Sequence, residues 1–137
     1  MPSNEVEVYF ALDGSNIDHN DITKRLGIQP SLIKQYDLKN DKSNKQQSQA
    51  WVLSSGKIID EFADVYNLSL SLIEKLEPNI LQMLDCIKQY NLTSRFQVVI
   101  WFSTDVQTST PAIGFDERTI SFLGKIGASI DIDTYLH

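Results

Sequence analysis

The longest apolar run of the chain, RFQVVIWFS at residues 95–103, is closed by Thr104 and Asp105 and is rich in β-branched and aromatic side chains. Its length and composition predict a strand rather than a stretch of helix. Phe96, Val98, Ile100 and Phe102 point to one face and Val99 and Trp101 to the other, so both sides call for cover and a central strand is expected. Residues 5–12 alternate: Val6, Val8, Phe10 and Leu12 form a dry face, Glu5, Glu7, Tyr9 and Ala11 a mixed one, and Asp13, Gly14 and Ser15 stop the strand. AWVLS at 50–54 reads as a short strand with Trp51 and Leu53 on one side and Ala50 and Val52 on the other, ended by Ser55 and Gly56. The last strand, SIDIDTYL at 129–136, places Ile130, Ile132 and Leu136 inward and Asp131, Asp133 and Tyr135 outward. A brief edge strand is expected at 112–115.

Between these strands the apolar period changes to that of a helix. At 18–30, Asp18 or Asn20 can cap a short helix striped by Ile22 and Leu26, Gly27 suits its left-handed end, and Pro30 prevents continuation. A helix this short is held by packing rather than by its own propensity. Residues 60–76 carry a stripe of Phe62, Tyr66, Leu70, Ile73 and Leu76, widened by Val65, Leu68 and Leu72. Pro78 then opens a second helix to Tyr90 that is expected to bury Ile80, Leu81, Leu84 and Ile87. Asp116 can cap a fourth helix through Ile120, Leu123 and Ile126, closed by Gly127. Residues 37–49 hold one apolar side chain, Leu38, and are expected to form a flexible polar loop.

Two strand-helix-strand halves, each with an LG pair at its helix end, are thus joined by a helical pair. The expectation is a single α+β domain over 1–137: an antiparallel or mixed sheet of four to five strands with the helical pair on one face, of ferredoxin-like type.

Composition narrows the classes. A length of 137 residues suits one domain that buries about two-thirds of its unfolded surface. No apolar run approaches the roughly 18 residues of a membrane span, and MPSNEVEV lacks the basic-then-apolar order of a secretory signal. The single cysteine, Cys86, cannot form an internal disulfide and agrees with a reducing compartment, so a cytoplasmic protein is expected. Its place between Asp85 and Ile87 in a helix suits a core or boundary cysteine better than a nucleophile. A net charge of -6 repels phosphate backbones and favours basic partners, so nucleic acid is an unfavourable ligand.

The helix ending LGI-x-P, the tryptophan strand AWVLS, the helical pair LSLIEKLEPNILQML and the terminal FLGKIGASIDIDTY together resemble the bacterial family known as domain of unknown function 4279. The resemblance covers nearly the whole chain. It implies a bacterial source, a single α+β domain and an unassigned role, and it carries over no catalytic residue. Small acidic bacterial proteins of this kind often act as immunity proteins against toxins, which is an analogy of class and not of site.

Chemistry is sparse. Asp131 and Asp133 share a strand face with Tyr135, and paired carboxylates can bind a metal or move protons. Further ligands would have to come from Asp13, Asp18 or His19, and the plainer reading is the polar side of a half-exposed strand. His19 and the C-terminal His137 are the only histidines, and HExxH, GxSxG, GxGxxG and Walker patterns are absent. No catalytic residue, metal or cofactor is expected. If the strands are neighbours, Tyr9, Trp51, Trp101 and Tyr135 fall on the sheet face away from the helical pair, beside Asp131 and Asp133. Such a surface suits a basic protein partner. The competing expectation is that the two shorter helices cover this face and make the aromatics core. The leading reading is a non-enzymatic protein-binding domain, monomeric or homodimeric, with a basic toxin domain as one form of partner. The alternative is a small-molecule or metal sensor, or an enzyme, using the Asp131, Asp133 and Tyr135 face.

Overall fold

A computed structural model describes residues 3–35, 49–60 and 63–136. Phe62, His137 and all of the expected polar loop except Gln49 lie outside the described residues. Gln49 itself is no loop residue: it opens a strand, and its side-chain oxygen accepts from the Ile17 amide at 2.9 Å.

The class is α+β, built on one mixed sheet. Its strands are β1 (Glu5–Gly14), β2 (Leu32–Lys34), β3 (Gln49–Ser54), β4 (Ile58–Ile59), β5 (Thr93–Phe102) and β6 (Ser129–Leu136). They run in the order β2-β3-β1-β5-β6, with β4 also paired to β1. All neighbours are antiparallel except β5 and β6. The sheet therefore exceeds the expected four to five strands, and β1 rather than β5 stands in its middle. Ser55 explains one of the additions. Its amide donates to the Val8 carbonyl and its hydroxyl accepts from the Val8 amide, so the chain keeps contact with β1 across Gly56 and pairs again as β4. Gly56 makes that bend at φ 77°, a conformation that disfavours side chains. No strand forms at 112–115. The Ala112 carbonyl instead accepts from the Val65 amide.

Four helices are described: α1 (His19–Leu26), α2 (Val65–Leu76), α3 (Ile80–Tyr90) and α4 (Glu117–Lys125). Asp18, Asp64 and Asp116 cap three of them, each carboxylate accepting from the amide three residues on. The Asp64 cap is why α2 begins at Val65 instead of near residue 60. Between α2 and α3, Glu77–Asn79 forms one 3-10 turn with Pro78 inside it. Such a turn advances the chain faster around its axis than an α-helix does. The stripe of α3 is rotated accordingly: Met83 and Cys86 are buried, Ile80 and Ile87 are half-buried, and Leu81 and Leu84 face solvent. In α4 the buried side is Thr119, Phe122 and Leu123, and Ile120 is exposed.

All four helices contribute to a single core with one face of the sheet. Ile22, Leu26, Leu72, Ile73, Leu76, Met83, Phe122 and Leu123 meet Val6, Val8, Phe10, Leu12, Trp51, Leu53, Phe96, Val98 and Ile100 there. Among the described residues, the other face has only the small cluster of Ala11, Ala50 and Val52 with Tyr9 against it. The shorter helices thus do not cover a second face, and β5 is dry on one side only. At the sheet's end, every residue of β6 is exposed, Ile130, Ile132 and Leu136 included. The inward placement expected for those three holds for direction and fails for burial, because an edge strand has a neighbour on one side only.

Candidate functional site

The helix-free face is assembled by register. On β1 it holds Glu5, Glu7, Tyr9, Ala11 and Asp13; antiparallel pairing sets Trp101 beside Glu5, Gln97 beside Tyr9 and Arg95 beside Ala11. The parallel β5 and β6 pair continues the rows, with Asp131 beside Gln97, Asp133 beside Val99 and Tyr135 beside Trp101.

Arg95 is the hub. Its guanidinium donates to both Asp13 oxygens, Nε to Oδ2 at 3.1 Å and Nη2 to Oδ1 at 3.2 Å, while Nη1 donates to the Tyr9 hydroxyl at 3.0 Å and to Gln97 Oε1 at 2.9 Å. The Gln97 amide nitrogen passes the chain on to Asp133 Oδ2 at 3.0 Å. A continuous polar line, Asp13 to Arg95 to Gln97 to Asp133, therefore crosses β1, β5 and β6. The fork geometry of a guanidinium suits a carboxylate better than any other cation does. The hydrogen bonds to Asp13, and behind them the one to Tyr9, raise the Arg95 pKa above its ordinary value, so the hub stays charged at any working pH.

Two further groups flank this line. Toward the β4 end, Trp101 and Tyr135 stack with ring centroids 5.8 Å apart and planes at 22°. Lys57 Nζ lies 4.2 Å from the Trp101 ring centroid and 3.3 Å from Glu5 Oε2. Toward β2, a concavity of about 500 Å³ is lined by Ala50, Val52 and Leu32 at its apolar side and by Glu7, Lys34 and Arg95 at its polar side. The Ser54 hydroxyl donates to Glu7 Oε2 at 2.7 Å beside it.

The sequence-predicted residues divide. Tyr9, Trp101, Asp131, Asp133 and Tyr135 all occupy the helix-free face. Trp51 does not: it is fully buried on the helix side, where its indole N–H donates to Thr23 Oγ1 at 3.0 Å. Asp13 shares the face with Asp133 through Arg95 and Gln97, whereas Asp18 and His19 sit at the start of α1 near Tyr90. Asp131, Asp133 and Tyr135 do not line the concavity. Among the described residues no three of His, Cys, Asp and Glu cluster to hold a metal ion. Sequence reasoning missed Arg95, Gln97, Lys57 and Glu7 as partners in one surface. The signal was present in β5, where the only polar residues of its central run, Arg95 and Gln97, stand two apart and so mark a wet face.

Fold and face together define an α+β domain whose sheet carries helices on one side and a preorganised polar and aromatic surface on the other. The chain belongs to the family described as Domain of unknown function (DUF4279), which matches residues 4–137. No curated protein and no solved structure matches it. Among the described residues, no helix is long and apolar enough to cross a membrane.

Proposed function

We propose that this domain is a non-enzymatic protein-binding module and that the helix-free sheet face is its recognition surface. The observation that supports this most is a sheet face that no helix covers among the described residues, whose side chains are nevertheless held in fixed positions by the Arg95 hydrogen bonds and the Trp101 and Tyr135 stack. Preorganised aromatic and arginine groups are what protein-binding hot spots are made of. The net charge of -6 favours a basic partner, and neutralisation of a basic toxin domain in a bacterial cytoplasm is the role that combines these features.

The test is co-purification of the tagged chain with candidate basic proteins encoded beside it, comparing the native chain with Trp101→Ala combined with Tyr135→Ala. Both side chains are partly exposed, so the double variant should stay folded by circular dichroism. A partner held by the native chain and released by the variant is the expected result. Equal capture by the two proteins overturns the assignment of the face.

A further inference from the structure

Resting on the protein-binding reading above, we infer that the outer edge of β6 is a docking site for an extended basic segment of the partner, which joins the sheet as an additional strand beside Ser129–Leu136.

The two ends of the sheet are built differently. At one end β2 is three residues long, a short edge that offers little to a foreign strand. At the other end β6 runs for eight residues, pairs with β5 without a break from Arg95 and Ser129 to Phe102 and Leu136, and contains neither proline nor bulge. Among the described residues no strand lies beyond it. Alternate residues of a strand direct their N–H and C=O groups to opposite neighbours, so those of β6 that point away from β5 face water. A straight unpaired edge of this length is a template for another strand.

Its side chains specify which one. On the helix side Ile130, Ile132 and Leu136 are 40%, 43% and 77% exposed, an apolar row with room for a neighbour. On the helix-free side stand Asp131 and Asp133. Asp131 has no ion pair or hydrogen-bond partner among the described residues, and Asp133 accepts one bond, from Gln97. An incoming strand that alternates aliphatic and basic residues would set its aliphatic side chains beside Ile130 and Ile132 and its lysines or arginines beside the aspartates.

A second copy of this chain fits poorly. The two-fold antiparallel registers that use nearly all of β6, centred on Ile132 or on Asp133, place Asp131 opposite Asp133 or Asp133 opposite itself. Like charges directly across a ladder destabilise it, and each copy brings a net charge of -6. The aspartates thus reject self-pairing and attract a basic strand with the same groups.

The probe is a synthetic peptide as long as β6 that alternates valine and lysine, titrated into the full chain by fluorescence anisotropy at low salt. A scrambled peptide of the same composition and a version N-methylated at alternate backbone nitrogens serve as comparisons. The alternating peptide should bind about tenfold more tightly than either. It should slow amide hydrogen exchange at alternate residues of 129–136, and Asp131→Asn with Asp133→Asn should weaken it by about tenfold. Equal binding of the alternating and scrambled peptides, or of the N-methylated one, would reduce the effect to charge attraction and overturn the proposal. Amide changes confined to the neighbourhood of Tyr9 and Trp101, with none in β6, would overturn edge docking while leaving the face reading standing. A native chain that dimerises through β6 in light scattering and exchange measurements would overturn the choice of occupant.

Discussion

Along β1, Val6, Val8, Phe10 and Leu12 are fully buried beneath the helices, while Glu5, Glu7 and Tyr9, each one residue away, stand half-exposed on the opposite face. The first face is held by apolar area, which is strong and non-directional. The second is held by hydrogen bonds from a forked cation, which are weaker in sum but fix angles and distances. The contrast separates two tasks in one strand: the helix side supplies the stability of the fold, and the open side positions polar groups without needing a second layer to bury them.

The largest expected effect tests that division directly. Phe10→Ala removes a fully buried ring from the shared core and should cost about 3 to 5 kcal/mol in urea unfolding. Tyr9→Ala, its neighbour in sequence, loses the hydroxyl that accepts from Arg95 and a ring on the open side, and should cost about 1 kcal/mol. Comparable costs at the two positions would break the comparison, since they would mean that the open face carries stability as the core does.

A smaller effect sharpens it. Arg95→Met keeps the aliphatic stem but leaves Asp13 without its fork partner, and should cost about 1 to 2 kcal/mol. Arg95→Lys preserves the charge without the fork and should recover only part of the loss, because an ammonium cannot reach Asp13, Tyr9 and Gln97 together. Full recovery by lysine would show that charge alone, and not geometry, organises the face.

How legible this was depended on whether local pattern or neighbourhood decides the outcome. The alternation of residues 5–12, the Asp18 and Asp116 caps and the left-handed Gly27 follow from backbone sterics and nearest-neighbour hydrogen bonds and read correctly, whereas the Asp64 cap goes unread and the helix it starts is expected too early. The other failures had a non-local cause. Whether Trp51 faces away from the helical pair or into the core is not written in AWVLS, because its strand's orientation relative to β1 is not local; pairing opposite Leu12 turns it into the core. The sequence expects the helix opened by Pro78 to bury Ile80, Leu81, Leu84 and Ile87, whereas Pro78 lies in a 3-10 turn and the side of α3 that is buried carries Met83 and Cys86. The alternation of β6 looks the same in sequence as that of β1, yet one strand is central and the other is an edge, a difference set by the parallel crossover through α4. Both halves read as strand-helix-strand, but β1 and β3 pair antiparallel while β5 and β6 pair parallel, so their short sequence echo does not extend to topology. Of the candidate surface, the aromatic and acidic members were visible from period two, and the Arg95 hub was not, because its partners are Asp13 and Tyr9 on another strand.

The smallest expected effect asks whether directional polar contacts are confined to the open face. They are not, for on the helix side the Tyr90 hydroxyl of α3 donates to Asp21 Oδ2 of α1 at 2.6 Å, and Arg25 Nε lies 3.1 Å from the same oxygen. The hydrogen bond to the Asp21 carboxylate, with burial and the charge of Asp21 adding to it, pushes the Tyr90 phenol up to about 12 from an ordinary value of 10.0. A group whose folded pKa lies above its unfolded one favours the fold fully below the unfolded value and loses that contribution as pH rises through the folded one. The link between α1 and α3 should therefore be intact below pH 10 and fade toward pH 12. Ultraviolet difference titration should show a late-ionising tyrosine that disappears in Tyr90→Phe and moves back toward the ordinary range in Asp21→Asn. If the late transition persists in Tyr90→Phe, another tyrosine sets it, and the contact between Tyr90 and Asp21 adds no pH-dependent stability to the helix side.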